Sequence, residues 1–200
     1  MILPLFLVLL AGYAPFWEIK APGQWTGDEL AEVLSASPWV KSLDPPSAFR
    51  EVGGLHVHLA TARPLREAEE ELLRRARQKA RPEEDPGEAG EEFREFLREN
   101  EGRYTVLAVL LPSGSALSDP REIRRMEQES YLRAGNTKLR MAGHFPPVPG
   151  DPYLRLVFPR PPIEGAKTIL FDLYVPGITA PYRQVEYYLS DLQYKGKPEI

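Results

Sequence analysis

Twenty-one of the 200 residues are proline, about twice the ordinary share of roughly 5%. Several sit as pairs at the edges of apolar segments: Pro45-Pro46, Pro146-Pro147 and Pro161-Pro162. Proline fixes φ and removes a backbone donor, so each pair stops regular structure. A chain punctuated this way must fold as short elements joined by stiff connections.

Between those stops the periodicities are readable. Residues 24–39, QWTGDELAEVLSASPW, predict a helix with both ends marked. Thr26 and Glu29 make a Thr-x-x-Glu capping box, Trp25 and Leu30 occupy the staple positions, and Pro38 closes the helix. Trp17 and Trp39 are expected to anchor against the body, because single indoles more often fill cores than hold ligands. A strand follows over 55–62, with Leu55, Val57 and Leu59 on one face and His56, His58 and Ala60 on the other. Pro64 opens a helix whose stripe runs through Leu65, Ala68, Leu72, Leu73, Ala76 and Ala80. The polar stretch 82–90, PEEDPGEAG, cannot build a core and is expected to be a mobile loop. A short helix then carries Phe93, Phe96 and Leu97.

Residues 104–112, YTVLAVLLP, are continuously apolar, as a central strand covered on both faces would be. Asp119-Pro120-Arg121-Glu122 opens a helix through about Arg133, with Gly135 as its stop. Four strands are expected after it, at 137–144, 153–160, 168–176 and 183–194. Mixed elements followed by a run of strands predict an α+β fold. The expected architecture is a mostly antiparallel sheet of about six strands, with three or four helices mainly on one face. Residues 15–200 are expected to form one such domain.

Charge removes one class of partner. The 25 basic and 29 acidic residues leave a net charge of −4, and the Arg66–Arg103 run alternates Lys and Arg with Glu as solvated helix faces do. No basic stripe suited to nucleic acid appears. The chain has no cysteine, which excludes disulfides, a thiol nucleophile and thiolate metal sites.

MILPLFLVLLAGYA, residues 1–14, is apolar and ends on small residues, the pattern of an export signal. It is too short to span a membrane before Glu18 and Lys20. A membrane anchor and a buried N-terminal segment are the rival readings. No basic residue precedes the apolar core, as it would in a complete signal.

The sequence carries, in order, FWEIKAPGQWTGDELAEVLSASPWVKSL, the 55–62 strand followed by ARPLREA, the VFPR of 157–160 and the closing YKGKPEI. They resemble a family of exported soil-bacterial proteins of uncharacterised activity. Its members carry a signal peptide, F-W-E-x-K, W-[ST]-x-x-E, S-P-W-[AV]-K and a closing Y-x-G-K. The resemblance implies export and a single domain, and implies no activity. It also implies that His-x-His is not required, the related strand reading V-x-V-x-W-x-S-A.

Candidate chemistry is sparse. His56 and His58 share a strand face and His144 ends another strand, so a three-histidine metal site would be possible if those strands were neighbours. Ser113-Gly-Ser115 lacks a nucleophile elbow and reads as a turn. Asp172 and Glu186, inside aromatic strands, are expected to point outward toward a partner such as Arg183 or Arg155. Tyr174, Tyr182, Tyr187, Tyr188 and Tyr194 form an aromatic set; Tyr174, Tyr187 and Tyr188 are the candidates for a binding surface.

No catalytic set assembles, so the reading leans to a non-enzymatic domain, periplasmic or extracellular, that needs no cofactor. It would bind a protein or polysaccharide of the cell envelope, touching a membrane only through an uncleaved N-terminal segment. The alternative is a metal-dependent hydrolase using His56, His58 and His144.

Overall fold

Thr26 Oγ1 accepts a hydrogen bond from the Glu29 backbone N–H at 3.1 Å, and Glu29 accepts one from Thr26 N–H at 2.8 Å. The capping box is formed as the spacing predicts, and Trp25 and Leu30 beside it are both buried. Residues 14–44, 54–79, 90–111, 117 and 119–200 are described by this computed structural model. The expectations for residues 1–13, the 82–89 loop and Ser113-Gly-Ser115 lie outside them.

The helices are α1 (Phe16–Ile19), α2 (Gly27–Ala36), α3 (Arg63–Lys79), α4 (Glu91–Glu99) and α5 (Pro120–Glu129). One sheet contains β1 (Val40–Leu43), β2 (Leu55–Leu59), β3 (Tyr104–Leu110), β6 (Gly143–Phe145) and β7 (Tyr153–Pro159), in the order β1-β2-β3-β7-β6. A second contains β4 (Tyr131–Ala134), β5 (Thr137–Arg140), β8 (Thr168–Tyr174) and β9 (Tyr182–Tyr188), in the order β5-β4-β8-β9. A hairpin of β10 (Gln193–Tyr194) and β11 (Lys197–Pro198) completes the chain. Every pairing is antiparallel. The fold is α+β, and its strands divide between two main sheets rather than one sheet of six.

Alternation builds the core between those sheets. Leu55, Val57 and Leu59 of β2, Leu107 and Val109 of β3, and Leu154, Leu156 and Phe158 of β7 point inward. They meet Leu132, Ile169, Phe171, Leu173, Val185 and Tyr187 of the second sheet. Phe158 and Phe171 touch edge to face across the interface at 5.4 Å. Removing this apolar surface from water is the main force holding the sheets together. β3 is central, as its unbroken apolar run predicts.

The opposite face of the five-stranded sheet is also covered. Phe93 and Leu97 of α4 pack on Ala60, Val106, Ala108 and Val157. Helices therefore lie on both sides of that sheet, where the sequence suggested mainly one.

Further boundaries differ from expectation. The strand expected over 183–194 ends at Tyr188, and Gln193–Tyr194 pair with β11 instead. The helix opened by Asp119, whose side chain caps Arg121 N at 2.8 Å, stops at Glu129 instead of Arg133. Ser130 Oγ accepts the Tyr174 N–H at 3.1 Å, and Tyr131–Ala134 pair with β8. Gly135, at φ +53, is consequently a β4–β5 hairpin residue and not a helix stop. The expected 137–144 strand splits because Met141-Ala142 carry the chain from one sheet to the other; Ala142 N already bonds Val157 O at 2.7 Å. Among the described residues of the expected α3 stripe only Leu65 and Ala68 are buried, whereas Leu72 is 42% exposed.

Candidate functional site

β2, β3 and β7 place His58, Ala108 and Arg155 in one cross-strand row on the face opposite the main core. The small Ala108 leaves room between the two larger side chains, whose strands are about 10 Å apart at the usual spacing. Tyr153, two residues before Arg155, shares that face and meets the His58 ring edge-on at 4.9 Å. The Asp151-Pro152 turn precedes β7, and Asp151 Oδ2 accepts from Arg155 Nη1 at 2.8 Å. Phe93 of α4 lies under the guanidinium at 4.3 Å.

α3 and α4 form the walls of a groove of about 780 Å³ whose lining includes Asp151, Tyr153 and Arg155, while His58 is buried next to it and does not line it. Glu69 of α3 lies at its base, with Oε1 4.0 Å from His58 Nε2. Arginines 66, 74, 77, 94 and 98 line the walls with Leu73, Leu97, Glu70 and Glu91. Arg94 and Arg98 both bond Glu91, at 2.8 and 2.9 Å.

Three titratable groups in or next to the groove are shifted. Burial, reinforced by the charge of Arg155, holds the His58 imidazole down at about pKa 4, so it is neutral at ordinary pH. Burial pushes the Glu69 carboxyl up to about 7, with Asp151 and Glu70 adding to the rise and Arg155 and Arg94 opposing it. Burial and Glu69 together raise the Tyr153 phenol. Shifted groups converging in a cleft mark a functional-site candidate on physical grounds.

The histidines named from sequence are not brought together. His56 is exposed and bonds Ser42 Oγ at 3.2 Å through Nδ1. His144 pairs with Leu156 and so faces the other side of the sheet, where Nδ1 lies 3.4 Å from Glu127. Two strands separate β6 from β2, a displacement of about 14 Å. Zinc–nitrogen bonds of about 2.0–2.1 Å cannot bridge that gap, so the three-histidine centre is overturned. Among the described residues no other group of three His, Asp or Glu side chains is placed to hold a metal ion.

The tyrosine surface is corrected as well. Tyr174 is buried, its hydroxyl donating to Glu122 at 2.6 Å and accepting from Arg125 at 3.0 Å. Tyr187 is a core residue and Tyr194 is buried with its hydroxyl on Glu67. Only Tyr182 and Tyr188 are exposed, because β9 alternates out and in. Asp172 does face its neighbouring strands, but its partners are Arg133 of β4 at 2.6 Å and Gln184 of β9, whose Nε2 donates to Oδ1 at 2.6 Å. Arg183 instead points inward and bonds Thr179 and Tyr182 carbonyls, while Arg155 belongs to the other sheet. Glu186 is exposed opposite Leu170.

Glu69, Asp151, Tyr153 and Arg155 were missed as site residues. The parity of 153–159 carries part of the signal: with Leu154, Leu156 and Phe158 inward, Arg155 must sit on the other face. Compared with known proteins, the chain matches no family model, no curated protein and no solved structure.

Proposed function

We propose that this chain is an exported, non-enzymatic binding domain whose ligand site is the α3–α4 groove. The observation that carries the reading is the convergence of His58, Glu69 and Tyr153, all displaced from their ordinary titration range, beside the buried Asp151–Arg155 pair. A groove of about 780 Å³ lies within the range of small-molecule sites, about 300–1,000 Å³. It suits one small ligand, or the terminal unit of a protein or polysaccharide of the cell envelope. Support for export comes from the apolar residues 1–14 and the family resemblance. Among the described residues no helix is long and apolar enough to cross a membrane.

A fragment screen read by backbone amide NMR tests the site: hits are expected to shift Glu69, Arg94, Tyr153 and Arg155. Hits confined to the Tyr182–Tyr188 face of β9 would move the site elsewhere. Turnover of an envelope substrate that disappears in Glu69→Gln would replace binding with catalysis. Fractionation of the full chain in a bacterial host tests export, and cytoplasmic retention with residues 1–14 intact counts against it.

A further inference from the structure

We infer that the groove recognises its ligand through a monoanionic carboxylate held by Arg155, with an apolar body lying along Tyr153, Leu73 and Leu97. This deepens the preceding reading and rests on it.

Arg155 is only 7% exposed, yet among the described residues its one hydrogen bond runs from Nη1 to Asp151. Its Nε is buried, with no hydrogen-bond partner among the described residues. The Phe93 and Tyr153 rings, 4.3 and 5.7 Å from the guanidinium, hold that group in place. A buried donor left unpaired is costly, and a guanidinium fork offers two parallel N–H bonds that match a planar carboxylate.

A dianionic phosphate at the guanidinium would lie against Asp151 and Glu69, which both face it, and a single negative charge meets less repulsion there.

Glu69 makes the binding proton-linked. It is faced by His58 from β2, Asp151 before β7, Tyr153 and Arg155 on β7, Arg94 on α4 and Glu70 on its own helix. Protonated, Glu69 presents no charge to an incoming anion; ionised, it repels one. Affinity for a carboxylate should therefore fall as pH rises from about 6 to about 8, a window that brackets its raised pKa.

The test uses 2-naphthoate, 2-naphthylmethanol, 2-naphthylmethylammonium and inorganic phosphate, titrated into the full chain by amide NMR. Naphthoate is expected to bind with a dissociation constant on the order of 0.1–1 mM, shifting Tyr153, Arg155 and Leu97, and to bind more weakly at the higher pH. Arg155→Lys, which retains a cation for Asp151 but lacks the fork, should weaken it about tenfold. Glu69→Gln should abolish the pH dependence. Equal binding of the alcohol in the groove would leave the groove a ligand site while overturning the carboxylate assignment. Preference for phosphate, naphthoate shifts outside the groove, or an unaffected Arg155→Lys would also overturn it. So would the absence of naphthoate binding at about 1 mM.

Discussion

Glu69 Oε1 and His58 Nε2 face one another at 4.0 Å, a carboxyl raised toward neutrality beside an imidazole held uncharged. The pair differs from an ordinary ion bridge. Burial works against charge on both partners, so their contributions to stability have opposite pH dependence.

For His58 the folded pKa of about 4 lies below its unfolded value of 6.5. The unfolded chain binds more protons between those values, so stability falls as pH drops from about 6.5 to 4, by on the order of 3 kcal/mol. Glu69 is raised from 4.5 to about 7; its folded form binds the extra proton, and stability falls as pH rises through that window. Its side chain remains 41% exposed, so solvent screening makes this the smaller effect. Glu69→Gln should therefore steepen the rise in stability from about pH 4.5 to 6.5, and His58→Gln should reverse it. Urea denaturation of both variants across that window checks the signs.

Arg155→Met removes one partner of a buried pair and leaves Asp151 charged and 8% exposed. A loss of about 3–5 kcal/mol is expected. Asp151→Asn combined with Arg155→Met should recover most of it, since no charge is then stranded. Denaturant midpoints of the single and double variants decide the point; equal losses would mean that packing on Phe93, not charge, dominates.

Gly90, the N-cap of α4, has φ +76, and a Cβ there would lie 2.7 Å from Asp151 Oδ2. Asp151 is held by Arg155 and cannot swing away cheaply. Gly90→Ala should cost about 2–3 kcal/mol through left-handed strain and this clash. Gly135→Ala, at φ +53 with open space around its Cβ, should cost only about 1 kcal/mol. Thermal unfolding of the two variants separates the terms.

Thr26→Ala deletes the side-chain acceptor at the start of α2 and should cost about 1 kcal/mol, while Thr26→Ser should be nearly neutral. Since α2 packs against α3, amide hydrogen exchange in Thr26→Ala should quicken along Glu29–Val33 before the β-sheet amides respond.

What the sequence determined alone was local. The Thr26–Glu29 box, the Asp119 cap, the alternation of 55–59 and the apolar run at 104–110 depend on neighbours within a few residues. Backbone geometry forces those relations, so they formed as read. Tertiary structure decided where each piece went. Ser130 ends the helix and accepts the Tyr174 N–H through its hydroxyl, and residues 137–145 divide between the two sheets. Tyr174, Tyr187 and Tyr194 disappeared inside because their strand faces met other elements. The groove belongs wholly to this second category: His58 and Arg155, 97 positions apart, become neighbours only when β3 pairs with both their strands. Periodicity tells which side of a strand a residue occupies, but the partner across that face is chosen by packing over the whole chain.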